Sequence, residues 1–304
     1  MNYIFQTKDL CKSYGKHKVL DNLTMKVPEG SIYGFVGKNG AGKTTLIRLV
    51  CGLQYQNSGE IEICGVKNTD KKINNIRKKM GAIVETPALH LNMTAKENLK
   101  LQFELLGNKN YTKVDELLEF VGLSDTGKKV AANFSLGMRQ RLAIAMALCN
   151  DPELLVLDEP INGLDPQGII DVRELLIKIN QEKKITILIS SHILDELEKV
   201  ATHYGFIANG KIVAEISAEE LEMSGQRWTT IMVNKIQNIE KAMSVFKNKY
   251  EVVNETTIIV QGDVVVTDLI LTLNKYGIIV NRLIEKEESL EERFFDLLGG
   301  AAND

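Results

Sequence analysis

The chain of 304 residues is 44% hydrophobic and 25% charged, with 37 Lys and Arg against 40 Asp and Glu for a net charge of −3. This length and mix can bury a core without disulfide or metal staples, which excludes collagen-like, disordered and disulfide-scaffold proteins. The near balance of charge leaves no basic surface of the kind that attracts nucleic acid, so no nucleic-acid partner is expected.

The stretch Met1–Lys18 lacks the apolar core of a signal peptide, and no uncharged run reaches the ~18–20 residues that span a bilayer. A cytoplasmic chain is expected. Ser31–Val36 reads as a strand that runs into a glycine-rich turn, and Thr44–Leu53 as a helix. From Pro87 the pattern becomes helical, with apolar residues at three- and four-residue spacing over Ala95–Leu106 and Lys113–Val121. Leu154–Leu157 and Ile185–Ile189 are short apolar runs of the kind found in parallel strands covered on both faces. Asn209-Gly210, between Gly205–Ala208 and Lys211–Ile216, signals a two-residue hairpin. Cys11, Cys51, Cys64 and Cys149 show no CxxC spacing and read as free thiols in a reducing compartment. The expectation is an α/β sheet domain over 1–216 carrying a helical subdomain at about 87–150.

After about Ser217 the texture changes. Residues 217–304 hold 15 acidic and 9 basic side chains, so this tail is −6 and the remainder +3. The tail reads as strand (Trp228–Val233), helix (Ile239–Lys249), strands (Glu251–Val253 and Thr257–Val260), helix (Val264–Tyr276) and strand (Ile278–Leu283). That order suggests a small α+β, ferredoxin-like accessory domain over 217–304. A last helix is expected over Leu290–Leu298.

The chemistry begins at Gly37-Lys38-Asn39-Gly40-Ala41-Gly42-Lys43-Thr44, which fits G-x-x-x-x-G-K-[ST] between a strand and a helix. Glycines let the backbone wrap phosphate oxygens with N–H groups inward, and the helix start adds its positive dipole end. Lys43 would place a full charge on the outer phosphates. Thr44 offers a hydroxyl to Mg²⁺, and Thr45 follows in the same turn. The second phosphate element is Leu154-Leu155-Val156-Leu157-Asp158-Glu159. A buried strand ending in two acids sets Asp158 to hold Mg²⁺ and Glu159 to polarise an attacking water.

With Ser135-Leu136-Gly137-Met138-Arg139-Gln140-Arg141 upstream of that strand, and Asn162-Gly163-Leu164-Asp165 and Ser190-Ser191-His192 after it, the set resembles the ATP-binding cassette family over roughly residues 3–216. The resemblance implies a P-loop ATPase that uses ATP and Mg²⁺. It implies that Ser135 and Gly137, at a helix start, face the γ-phosphate of a second copy in a head-to-tail dimer with two shared sites. Asp165 would link the two halves, His192 would touch the γ-phosphate as a catalytic switch, and Tyr14 would stack on adenine. Taken without the family, Ser135 is a plain helix cap, Asp165 a turn residue before Pro166, His192 a structural histidine and Tyr14 a surface or core ring.

Two departures stand out. The family commonly places Gln where Glu85 follows Met80-Gly81-Ala82-Ile83-Val84, and a carboxylate there could ligate Mg²⁺ while adding negative charge. The common signature LSGGQ is Phe134-Ser135-Leu136-Gly137-Met138 here, so one side-chain donor is lost. These departures resemble the branch that exports peptide antibiotics, including bacitracin- and lantibiotic-resistance transporters. That resemblance implies separate integral membrane permease subunits, docked near Glu85–Leu106, and a peripheral place on the inner face of the membrane. The contrasting reading is a cassette ATPase acting on ribosomes or DNA, which usually carries two cassettes or a long coiled-coil arm. A GTPase is disfavoured by the lack of Asn-Lys-x-Asp. For the tail, packing against the cassette, pairing with its twin and regulatory sensing all remain open.

Overall fold

The computed structural model describes residues 2–108, 110–224, 227–288 and 292. Two long strands open the chain, β1 (Tyr3–Tyr14) and β2 (His17–Pro28), paired antiparallel. Their apolar alternation is broken by register shifts around Thr7–Ser13, where Asp9 takes a φ of 48° and Asn22 one of 51°. Each bulge turns the inward face by a residue and bends the pair. With β4 (Ser58–Ile63) and β5 (Val66–Lys67) they form a sheet of order β2-β1-β4-β5. This antiparallel layer is additional to the elements expected from the sequence.

The central sheet is built from β3 (Ile32–Val36), β6 (Met80–Ile83), β7 (Leu154–Asp158), β8 (Thr186–Ser191), β9 (His203–Ala208) and β10 (Lys211–Ser217) in the order β10-β9-β3-β8-β7-β6. All its neighbours are parallel except β9 and β10. Those two are joined by Asn209 and Gly210, both at positive φ as a two-residue hairpin requires. Every residue of β3, β7 and β8 is buried, as expected of strands covered on both faces. Helix α1 (Lys43–Val50) supplies Leu46, Ile47, Leu49 and Val50 to a core shared with both sheets.

Short helix α2 (Ile73–Arg77) precedes β6. Between β6 and β7 lie α3 (Ala95–Leu105), α4 (Thr112–Phe120) and α5 (Leu136–Ala147), the expected helical insertion. Thr94 and Glu97 form a reciprocal capping box at the start of α3. Asn98, fully buried, accepts from the His90 N–H at 2.9 Å and donates to the carbonyls of His90 and Thr94, tying the preceding loop to the helix. Helices α6 (Pro166–Lys183) and α7 (Leu194–Glu198) follow β7 and β8.

The chain divides into two compact units between Glu219 and Glu220, within α8 (Ala218–Ser224). The second unit runs β11 (Arg227–Val233), α9 (Ile239–Met243), β12 (Tyr250–Asn254), β13 (Thr257–Gln261), α10 (Val266–Lys275) and β14 (Val280–Glu287). Its sheet is antiparallel in the order β12-β13-β11-β14, the ferredoxin-like arrangement of a split βαβ pair. Ile231, Val233, Ile258, Val260, Leu269 and Leu273 form its own core. Helix α9 stops six residues before the expected Lys249. The Ser244 hydroxyl donates to the Lys241 carbonyl at 2.8 Å, and Asn248 donates to the carbonyls of Gln261 and Asp263, which draws the chain onto the sheet. The helix expected over Leu290–Leu298 lies outside the described residues, apart from Glu292.

Candidate active site

The carboxyl ends of β3, β7 and β8, three neighbouring strands, deliver the cradle, the two acids and the histidine to one edge of the central sheet. Strand β3 ends at Val36, and the loop Gly37–Gly42 turns into α1. Gly40 and Gly42 hold φ values of 82° and 113°, which a side chain would strain. A Cβ at Gly37 would stand 2.6 Å from the Ile207 carbonyl oxygen. Gly42 is the N-cap of α1 and supplies no side-chain cap, so the helix start keeps its amide donors for another acceptor. Lys38, Asn39 and Gly40 are exposed, while Lys43 is only 6% exposed. The Lys43 ammonium folds back over the loop and donates to the Gly37 carbonyl at 2.6 Å. Buried lysine, open amides and the adjacent Thr44 and Thr45 are a donor set suited to a polyphosphate.

Asp158 is buried, and its Oδ1 accepts from the Ser190 hydroxyl at 2.6 Å. Glu159 takes a φ of 50°, leaving the strand direction as the chain turns. Its carboxylate stands 3.4 Å from the Lys43 ammonium and 2.7 Å from His192 Nδ1. Lys43, Asp158, Glu159 and His192 are thus brought together across three strands. Among the described residues no group of three or more His, Cys, Asp and Glu could hold a metal ion. A divalent cation would instead need the mixed hard-oxygen set of Thr44, Asp158 and bound phosphate, which suits Mg²⁺.

Ser135 is the N-cap of α5, accepting from the Met138 N–H at 3.2 Å. Asp165 caps α6 in the same way, accepting from the Gly168 N–H at 3.3 Å ahead of Pro166. A Cβ at Gly137 would meet Gly168 Cα at 3.3 Å, so glycine at both positions lets these two helix starts approach. Ser135, Gly137 and Asp165 therefore form a second group, with Ser135 and Asp165 exposed.

Tyr14 is partly exposed. Its hydroxyl is hydrogen-bonded to Gln54, and the Lys12 ammonium lies 5.2 Å from its ring centroid. Lys12 also donates to the Tyr55 carbonyl at 2.6 Å. Glu85, at a φ of 62°, is exposed and ion-paired with Arg48 of α1. The pair offsets the negative charge that a glutamate brings to this position. Cys51, at the far end of α1, is a poor nucleophile: burial pushes its thiol up to about 12, opposed by Arg77 and aided by Asp158.

The sequence reading did not name Arg48 or Gln54, and named Ser190 only as part of the motif that ends at His192, with no role of its own. Arg48 and Gln54 sit on ordinary polar positions and carry no local pattern. Ser190 does carry one, a hydroxyl ending an otherwise apolar buried strand.

Residues 20–162 match the family model described as ABC transporter. The chain is 42% identical over 307 residues to the bacitracin transport ATP-binding protein BcrA of Bacillus licheniformis, covering 99% of each chain. It is 43% identical over 212 residues to the lantibiotic transport ATP-binding protein SrtF of Streptococcus pyogenes, covering 70% of this chain and 90% of that one. Its fold is similar to that of a dimeric ATP-binding cassette in a post-hydrolysis state bound to ADP and Pi. That match has a TM-score of 0.62 and 25% identity, and covers 70% of this chain and 98% of the other.

Proposed function

The chain belongs to the ABC transporter family as an ATP-binding, ATP-hydrolysing subunit, and from that premise we propose that it powers export of a peptide antibiotic or similar amphiphile through separate permease subunits. The cargo class follows the names of the bacitracin and lantibiotic transport relatives. The observation that carries the catalytic reading is the Glu159 carboxylate, held between Lys43 and His192 directly after the buried Asp158.

Backbone amides of Gly37–Thr45 and the Lys43 ammonium grip the triphosphate, and Tyr14 stacks on its base. Thr44 and Asp158 would hold Mg²⁺, joined by Glu85 if its pairing with Arg48 were exchanged for the ion. When bound, the ion would supply charge neutralisation to the phosphates. Glu159 accepts the proton of the water that attacks the γ-phosphorus, and ADP leaves with the bond to its bridging oxygen broken. His192 donates to Glu159 and keeps the carboxylate aimed. Hydrolysis leaves two negatively charged products side by side, and their repulsion favours opening.

A second copy completes each site. Ser135, exposed at the start of α5, would face the partner's γ-phosphate together with the Gly137 N–H, and the exposed Asp165 would stand beside them. The dimer of the similar ADP- and Pi-bound cassette supports this pairing. A groove of about 440 Å³ lined by Ile83, Thr86, Pro87, Leu89, Gln102 and Met146 is the proposed permease dock. No helix among the described residues is long and apolar enough to cross a membrane, so the proposed location is peripheral, at the inner membrane face.

The test is affinity capture of the tagged full-length chain from solubilised membranes. Recovery of an integral membrane partner whose presence raises ATP turnover supports the proposal. Recovery of ribosomes or DNA in its place refutes it.

A further inference from the structure

We propose that Ser190 is a positioning residue for hydrolysis, its hydroxyl fixing Asp158 and Glu159 in the relative orientation the reaction needs. Strands β7 and β8 are parallel neighbours with Asp158 in register with Ser190. Ser190 is fully buried. Its Oγ donates to Asp158 Oδ1 at 2.6 Å and accepts from the Glu159 N–H at 3.0 Å. One hydroxyl thus spends its donor on the first acid and an acceptor lone pair on the backbone of the second.

Each bond has a separate consequence. The first locks the Asp158 carboxylate about its last torsion and leaves its other oxygen for a cation. The second secures the Glu159 amide, which also reaches the Ser190 carbonyl at 3.2 Å. That amide anchors a residue at a φ of 50°, a conformation non-glycine residues keep only when neighbours enforce it. From this backbone the Glu159 side chain reaches both Lys43 and His192. The neighbouring serine plays another part: Ser191 Oγ accepts from the Ile193 N–H at 2.9 Å, closing the turn that carries His192.

The inference rests on Glu159 acting as the base, so the test separates the two. The full-length chain carrying Ser190→Ala, Ser190→Val or Ser190→Thr is assayed for ATP turnover and titrated calorimetrically with ATP in EDTA. Expected for the Ala and Val forms is a fall in kcat of at least about tenfold, with KM and metal-free affinity within about twofold of the parent. Threonine keeps the hydroxyl in the volume of valine and should restore at least about half of kcat. In a Glu159→Gln background, Ser190→Ala should cost less than about twofold more, because the two act as a unit. Equal turnover of the Val and Thr forms, or a loss of metal-free affinity as large as the loss of turnover, overturns the proposal. If Glu159→Gln turns over at the parent rate, the base assignment falls, and the Val and Thr pair alone decides whether Ser190 acts through Asp158.

Discussion

Glu159 and Lys43 are 3.4 Å apart, yet their substitutions should separate cleanly into turnover and binding. A glutamine at 159 keeps the size and can still meet His192, but it cannot take a proton. Glu159→Gln should therefore lower kcat by at least about 100-fold and leave ATP affinity intact, the usual scale for losing a general base. Phosphate release and calorimetry on one preparation check this, and near-normal turnover refutes the assignment. Lys43 is nearly inaccessible and its ammonium is spent on the loop carbonyl of Gly37. Lys43→Ala removes a full positive charge placed to meet the outer phosphates, so ATP affinity should fall at least about tenfold, roughly one charge-assisted hydrogen bond. An unchanged ATP titration would contradict that. Both residues stood out as candidates in the sequence, Lys43 from the glycine-rich spacing of the cradle and Glu159 from two acids ending an apolar run. The role of Ser190 could not be read there, because it depends on register with Asp158, 32 positions away in sequence on the neighbouring strand, and register is a tertiary fact. The Arg48 and Glu85 pair is hidden for the same reason.

Helix α3 supplies Gln102 to the proposed dock, and the cap at its start can be tested alone. Thr94 Oγ1 accepts from the Glu97 N–H at 3.2 Å, and the Glu97 carboxylate accepts from the Thr94 N–H at 2.8 Å. Thr94→Ala should cost about 1 kcal/mol, lowering Tm of the cassette unit by about 2–4 °C. The Thr94 backbone bond, followed by its hydroxyl, holds the Glu97 carboxyl below its ordinary value of 4.5. A depressed carboxyl contributes stability above its ordinary range and loses it as pH falls through the lowered value. The gap between parent and variant should therefore narrow below pH 4.5 in thermal unfolding. A gap that is absent at neutral pH would show the box to be idle. Helix α3 was legible because apolar residues such as Leu99 and Phe103 recur at helical spacing; its capping box was found only in the structure. Strands β1 and β2 were not, because bulges near Asp9 and Asn22 shift the inward face midway and erase the period of two. In α9 the apolar spacing continues to Phe246, but local side-chain bonds to the backbone end the helix at Met243.

At the scale of the molecule, the two cores share no residue. One draws on positions from Ile4 to Ile207, and the other on positions from Ile231 to Ile278. The motifs for binding and hydrolysis all precede the division at Glu219. The change in charge, from +3 to −6, was read from the sequence as a boundary after residue 216, and the βαββαβ order of the tail emerged from simple alternation. The relative SrtF aligns 90% of its own length to 212 residues of this chain, about the extent of the first unit. A chain ended after Glu219 should therefore keep the cassette core, because none of that core's buried apolar residues is removed. It should unfold in one cooperative thermal transition and bind ATP within about threefold of the full chain, since a factor of three is under 1 kcal/mol. Circular dichroism and calorimetry on the truncated protein test both expectations. A truncated chain that is folded yet fails to bind ATP would give the second unit a direct part in shaping the nucleotide site. One that does not fold would show that the cassette core draws stability from residues beyond Glu219.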